Sequence, residues 1–126
     1  MINSNQHTQT MVGIVFLSRD VAHKEHFKTR SYAAHVALGD FYDSIIPLVD
    51  SFVEAYQGAF LTKLTNIPYL TPDKGEDVAE TLTGHMETLM TTRYKAVDKE
   101  CTSIQNIIDE IISEYQSLLY KLTFLS

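Results

Sequence analysis

The chain has few of the residues that mark secreted or membrane proteins. Cys101 is the only cysteine among its 126 residues, so no disulfide can form within the chain. It has no signal-peptide pattern and no run of about 18 apolar residues. We therefore expect a cytoplasmic protein that does not span a membrane, in which Cys101 is a small buried hydrophobe.

Basic residues are also scarce. Ten Lys and Arg stand against sixteen Asp and Glu, and the first eleven residues contain no Lys or Arg. The net charge of −6 argues against DNA binding, which depends on basic side chains that release counterions. Tryptophan is absent, and no Gly-rich phosphate loop, CxxC pair or GxSxG elbow is present. Nucleotide-binding and hydrolase classes therefore gain no support.

Apolar residues recur at helical intervals, and no alternation of period two persists. Residues 1–11 are mostly polar and predict a flexible tail that the fold does not need. The predicted helices cover about Val12–Lys28, Ser31–Gly58, a third from a cap at Asp73 to about Val97, and a fourth from Thr102 to near the end of the chain. Turn residues between Gly58 and Gly75 form a connection long enough to cross a bundle. We predict one all-α domain over 12–126, a ferritin-like four-helix bundle with one long crossover between the second and third helices.

Local signals suggest where these helices begin or bend. Asp73 with Glu76, and Thr102 with Gln105, have the spacing of capping boxes. Pro47 interrupts the second helical pattern, so either that helix continues with a kink or two helices meet there.

Four residues in the first two helical segments carry the clearest indication of function. Separated by 12, 15 and 4 positions, they are His23, His35, Asp50 and Glu54. Two imidazoles and two carboxylates suit iron, manganese or zinc better than soft metals. On one helix His35 and Asp50 would lie roughly 22 Å apart, so one chain cannot place both on the same ion. We predict a metal site between subunits, formed where two such helices pack antiparallel about a two-fold axis.

The order and spacing of these four residues resemble the ferroxidase motif of the mini-ferritins, also called DNA-binding proteins from starved cells (Dps). The likeness covers about Phe16 to Gly58. It includes Phe41 and Tyr42, in a pattern like the family's Phe and Tyr, followed by AspXaaXaaXaaGlu and a Gly. Beyond Gly58 the likeness is architectural.

The resemblance implies an iron-storage function. His23 and His35 would come from one subunit and Asp50 and Glu54 from its two-fold mate. These four residues would be both the metal ligands and the catalytic residues of a ferroxidase that oxidises Fe(II), usually with peroxide. The ferric mineral would be stored inside a hollow dodecamer, a homo-oligomer built from two-fold dimers.

The chain departs from the family's pattern in three respects. Lys24 follows His23 where mini-ferritins usually have a Trp, and Gly39 stands where a further acidic residue is often found, with Asp40 beside it. A length of 126 residues is short for the family and resembles some small phage-encoded ferritin-like proteins.

Each candidate residue also has an ordinary structural interpretation. A histidine at a helix C-terminus such as His23 is favoured by the helix dipole without any metal. Asp50 and Glu54 alone would form a solvated acidic edge. We interpret His26 and His85 as surface residues or as groups that support a ligand.

The alternative function is non-enzymatic. The chain would be a ferritin-like helical bundle, of viral origin, that acts through protein–protein interaction. The missing Trp and the short chain support this alternative. A ferroxidase should form a shell of about twelve chains and bind iron, whereas an interaction bundle should form a small oligomer indifferent to metal.

Overall fold

Four α-helices form a bundle in the computed structural model, which describes residues 4–72, 75 and 77–126. In chain order they are α1 (Ser4–Lys28), α2 (Tyr32–Phe60), α3 (Val78–Ala96) and α4 (Thr102–Phe124). Helix α1 packs on α2 and α3, and α4 packs on the same two helices. The predicted all-α four-helix bundle is therefore confirmed. Over the described part of the chain, no helix combines the length and apolar character that a membrane span requires.

One apolar core joins the four helices. Helices α2 and α4 supply its largest fully buried side chains, among them Phe41 and Tyr115, whose ring centroids lie 5.0 Å apart in an edge-to-face contact. Val12 from α1 and Leu82 from α3 are also fully buried. Because burying one such side chain contributes about 1.5–3 kcal/mol, this core holds the helices together.

The long crossover between α2 and α3 runs along α1 from one end of the bundle to the other. Near its start the backbone N–H of Asn66 donates to the side chain of Gln9. Farther along, Pro68 lies against Gly13, where an added Cβ would approach the proline Cγ to 2.9 Å. Asp77, just before α3, lines a small cleft together with the residues that link α1 to α2. The predicted crossover is confirmed.

The N-terminal segment is a helix, not the flexible tail that its polar composition suggested. Helix α1 begins at Ser4, and Thr8 and Met11 are buried. Gln9 is also buried, and its side chain bonds Asn5 on its own helix and Asn66 on the crossover. The predicted tail over 1–11 is wrong from Ser4 onward, because polar residues there have partners in a distant part of the chain.

Helix α2 continues through Pro47, so the interpretation with one helix holds. Pro47 and Asp43 are both exposed, and water can therefore solvate the Asp43 carbonyl that loses its N–H donor to the proline. The helix passes the predicted stop at Gly58 and ends at Phe60. Leu61 follows with φ 50° and ψ 43°, in the left-handed region that favours glycine.

Helix α3 begins after Asp77, whose carboxylate accepts the N–H of Glu80 at 2.8 Å. This cap stabilises the first turn because it satisfies a backbone donor that has no partner within the helix. The capping pair predicted at Asp73 and Glu76 lies outside the described residues.

Helix α4 begins at Thr102 as predicted, but Gln105 has another role than the capping box suggested. Cys101 occupies the cap position, half-buried, and makes no side-chain capping bond. Gln105 is buried, accepts from Arg93 Nε at 2.8 Å and donates to the Val97 carbonyl at 2.8 Å. Its amide therefore ties the start of α4 to the end of α3.

Candidate functional site

His23 lies in the last turns of α1 among aromatic side chains. Its half-buried ring stacks on Tyr42 of α2 with centroids 4.0 Å apart, and on Phe27 at 5.1 Å. The guanidinium carbon of Arg19 lies 5.6 Å from the centre of the Tyr42 ring. Packing between two aromatic rings limits the rotation of His23 and keeps it at the contact between α1 and α2.

His35 and His26 hold each other through a reciprocal contact. Their rings stack with centroids 3.7 Å apart and planes 19° from parallel. His35 Nδ1 lies 2.9 Å from the backbone oxygen of His26, and His26 Nδ1 lies 2.7 Å from the backbone oxygen of His35. Both rings are half-buried.

These two hydrogen bonds determine where each ring carries its proton. A carbonyl oxygen only accepts, so Nδ1 must donate in both His26 and His35. In the neutral imidazole the lone pair is then on Nε2, the form in which histidine binds metals. Metal-binding histidines usually donate their other ring nitrogen to a carbonyl or carboxylate in this way. Both rings are therefore set up as Nε2 ligands.

Asp50 and Glu54 lie on the same helix as His35 but far from it. Both carboxylates are exposed, and the 15 positions between His35 and Asp50 correspond to a rise of roughly 22 Å in a continuous helix. A single chain thus brings His23 and His35 to one region and keeps the two carboxylates apart from them. Within residues 4–72, 75 and 77–126 of one chain, no group of three or more His, Cys, Asp or Glu is arranged to hold a metal ion.

The two carboxylates belong to a continuous exposed stripe along α2. Its members alternate at intervals of four and three positions, and all six are exposed: Val36, Asp40, Asp43, Pro47, Asp50 and Glu54. This spacing keeps the side chains on one face of the helix, as in helices that pair along their length. In the single chain the stripe faces solvent.

His26 lies closer to the candidate ligands than its predicted place on the surface implied. Its ring contacts both His23, at a centroid separation of 6.3 Å, and His35. It lies over Gly39, where an added Cβ would come within 3.2 Å of His26 Cε1. The available signal was its position three residues after His23, which places both on one side of α1.

His85 belongs to a polar contact in the bundle and is not part of the group formed by His23, His26 and His35. Its Nδ1 lies 2.7 Å from Ser18 Oγ, and the buried Tyr115 hydroxyl donates to the same oxygen at 2.7 Å. Burial raises the pKa of Tyr115 well above its usual range, more than the bond to Ser18 lowers it. These residues connect α3, α1 and α4 and serve the fold.

Comparison with known proteins identifies a family but no function. A family model described as a family of unknown function (DUF5856) matches residues 26–122, which include His26, His35, Asp50 and Glu54 but not His23. No curated protein and no solved structure matches the chain.

Proposed function

This chain belongs to the DUF5856 family of unknown function, and we propose that it is a Dps-like ferroxidase and iron-storage protein. In this proposal His23 and His35 of one chain and Asp50 and Glu54 of a two-fold mate bind Fe(II). Glu54 would be the residue that also holds a second ion. The ferric product is stored as mineral inside a hollow shell of about twelve chains.

The observation that carries this proposal is the fixed tautomer of His35. Its Nδ1 donates to the backbone oxygen of His26, which leaves the Nε2 lone pair for a metal. The accepting atom belongs to the backbone, so this hydrogen bond does not depend on another titratable side chain.

The exposed stripe on α2 supports a site shared between two chains. If two copies of α2 pack antiparallel, the His35 end of one lies beside the Asp50 and Glu54 end of the other. The two-fold axis then passes midway between positions 35 and 54, close to Ser44. Symmetry produces two equal sites per pair of chains.

The proposed reaction moves electrons from iron to peroxide. Each of two Fe(II) ions loses one electron, the O–O bond of peroxide breaks, and two protons are taken up to form two waters. The carboxylates of Asp50 and Glu54 favour the product because they interact more strongly with Fe(III) than with Fe(II). The imidazoles keep the ions in place during the transfer.

Subunit mixing tests both the ligands and their origin from two chains. His35→Gln and Asp50→Asn should each abolish rapid Fe(II) oxidation, followed by absorbance of the ferric product. When the two variants are unfolded together and refolded, mixed pairs regain one intact site from the His35 of one chain and the Asp50 of the other. Random pairing should then restore about a quarter of the wild-type rate.

Matched controls separate the site from general charge effects. Asp43→Asn removes the same charge from the same exposed stripe, and His7→Gln removes an imidazole at the other end of α1. Both should oxidise Fe(II) at the wild-type rate. The proposal is contradicted if His35→Gln and Asp50→Asn also keep that rate, and its two-chain part is contradicted if mixing restores nothing.

A further inference from the structure

His26 has three properties of a metal ligand. Its ring is half-buried, its orientation is held by stacking on His35, and its Nδ1 donates to a backbone oxygen at 2.7 Å. Nε2 of the neutral ring therefore carries the lone pair.

The ring orientations indicate which histidine His26 can join on one ion. Metal binding uses lone pairs in the plane of each ring, so rings that share an ion must have planes that converge on it. The planes of His26 and His35 are only 19° apart in a stack of 3.7 Å, and their in-plane lone pairs do not converge. The planes of His26 and His23 differ by 63°.

The separation of His23 and His26 is close to that of two rings that share an ion. Two imidazoles bound at about 2.1 Å to one ion at angles of about 90–110° place their ring centroids roughly 4.5–5.3 Å apart. The observed separation is 6.3 Å, and the two residues lie three positions apart on α1. The two rings would have to approach each other by about 1 Å to place both Nε2 atoms on one ion.

We infer that His26 is a metal ligand and that it binds one divalent transition-metal ion together with His23, while His35 binds a second ion. Gly39 makes this possible, since a side chain there would push against the His26 ring. The inference rests on the proposed function for its remaining ligands, the Asp50 and Glu54 carboxylates of a second chain. It adds a nitrogen ligand that the four-residue motif does not contain.

Zinc titration of the full-length protein tests the assignment without redox chemistry. Protein freed of metal with a chelator is titrated with Zn²⁺ in a calorimeter. His26→Gln should weaken the tighter binding step about ten- to a hundredfold, as His23→Gln should. In the His26→Gln variant His35 loses the stacked ring but keeps its hydrogen bond to the backbone oxygen of residue 26. His7→Gln is the matched control and should bind Zn²⁺ like the wild type.

Gly39→Ala is a second variant that keeps every ring nitrogen. Its Cβ would lie 3.2–3.3 Å from two atoms of the His26 ring and displace that ring by a few tenths of an ångström. Alanine also favours the helix, so the protein should stay folded by circular dichroism. Zn²⁺ affinity should fall, but by less than in His26→Gln.

The outcomes separate this inference from the proposed function. If His26→Gln and Gly39→Ala bind Zn²⁺ as tightly as His7→Gln, His26 is no ligand and the inference is wrong. If instead both weaken binding while Asp50→Asn with Glu54→Gln does not, His26 is a ligand but the carboxylates of a second chain are not. In that case the proposed ferroxidase site is wrong, while the inference about His26 holds.

Discussion

Tyr115 is a single residue whose burial makes the stability of the whole bundle depend on pH. Its side chain is fully buried, and burial raises its pKa above the ordinary value of 10.0. Above pH 10 the unfolded chain loses the tyrosine proton while the folded chain keeps it, so alkali favours the unfolded state. Below pH 10 the residue is neutral in both states and contributes no slope.

The variant Tyr115→Phe should remove this alkaline sensitivity. The wild type should lose about 1.4 kcal/mol of unfolding free energy per pH unit more than the variant above pH 10. Below pH 10 the variant should be about 1 kcal/mol less stable, because Ser18 loses a hydrogen-bond partner. Urea unfolding on both sides of pH 10 measures both effects. Tyr120→Phe, an exposed change on the same helix, should follow the wild type.

Glycine-to-alanine substitutions, one in α1 and one in α3, test how the crossover packs on α1. At Gly84 in α3, which is exposed, no atom lies within 4 Å of an added Cβ, and Gly84→Ala should stabilise the protein by up to about 1 kcal/mol. At Gly13 an added Cβ would meet the Pro68 ring and backbone oxygen at 2.9 Å. Gly13→Ala should therefore destabilise the protein by about 1–3 kcal/mol.

Thermal unfolding of the two glycine variants gives the sign of each effect. Equal stabilisation by both substitutions would mean that the crossover is not held against α1.

Leu61 lies at the start of the crossover, and its positive φ turns the chain away from α2 directly after the helix ends. Turn chemistry alone would have placed a glycine there.

At the scale of the whole molecule, the proposed pairing of two chains places the exposed stripes of their α2 helices against each other. Two stripes facing each other bring the carboxylates of both chains together, which costs free energy unless cations lie between them. The imidazole region of each chain and a bound metal supply that compensation in the proposed pair. Association should therefore be stronger with metal than without it.

Light scattering with metal analysis on the same peak tests this expectation. The protein should elute near twelve times 14.3 kDa with bound iron, and chelation should make the particle dissociate more readily on dilution. Asp50→Asn with Glu54→Gln should make its size independent of metal. A metal-free monomer or dimer would contradict the shell and favour the alternative of a bundle that binds a protein partner.

The periodicity of apolar residues predicted most of the architecture. Apolar residues at helical spacing predicted all four helices because each helix must bury one stripe, and the strong stripe of α4 contains the buried Ile104, Ile108 and Tyr115. The length and turn residues of the segment after α2 predicted the crossover. Helix ends were less predictable, since the partners of Gln9 and Gln105 lie outside their own helices.

The sequence alone also selected the four candidate ligands, because residue type and spacing decide which metals and which helix face are available. Only the tertiary structure showed that His26 lies against His35, since that contact joins two helices. Only the tertiary structure showed which ring nitrogen donates, because the accepting backbone oxygens belong to the neighbouring helix. Spacing along a chain describes one helix, whereas ring orientation is decided where two helices meet.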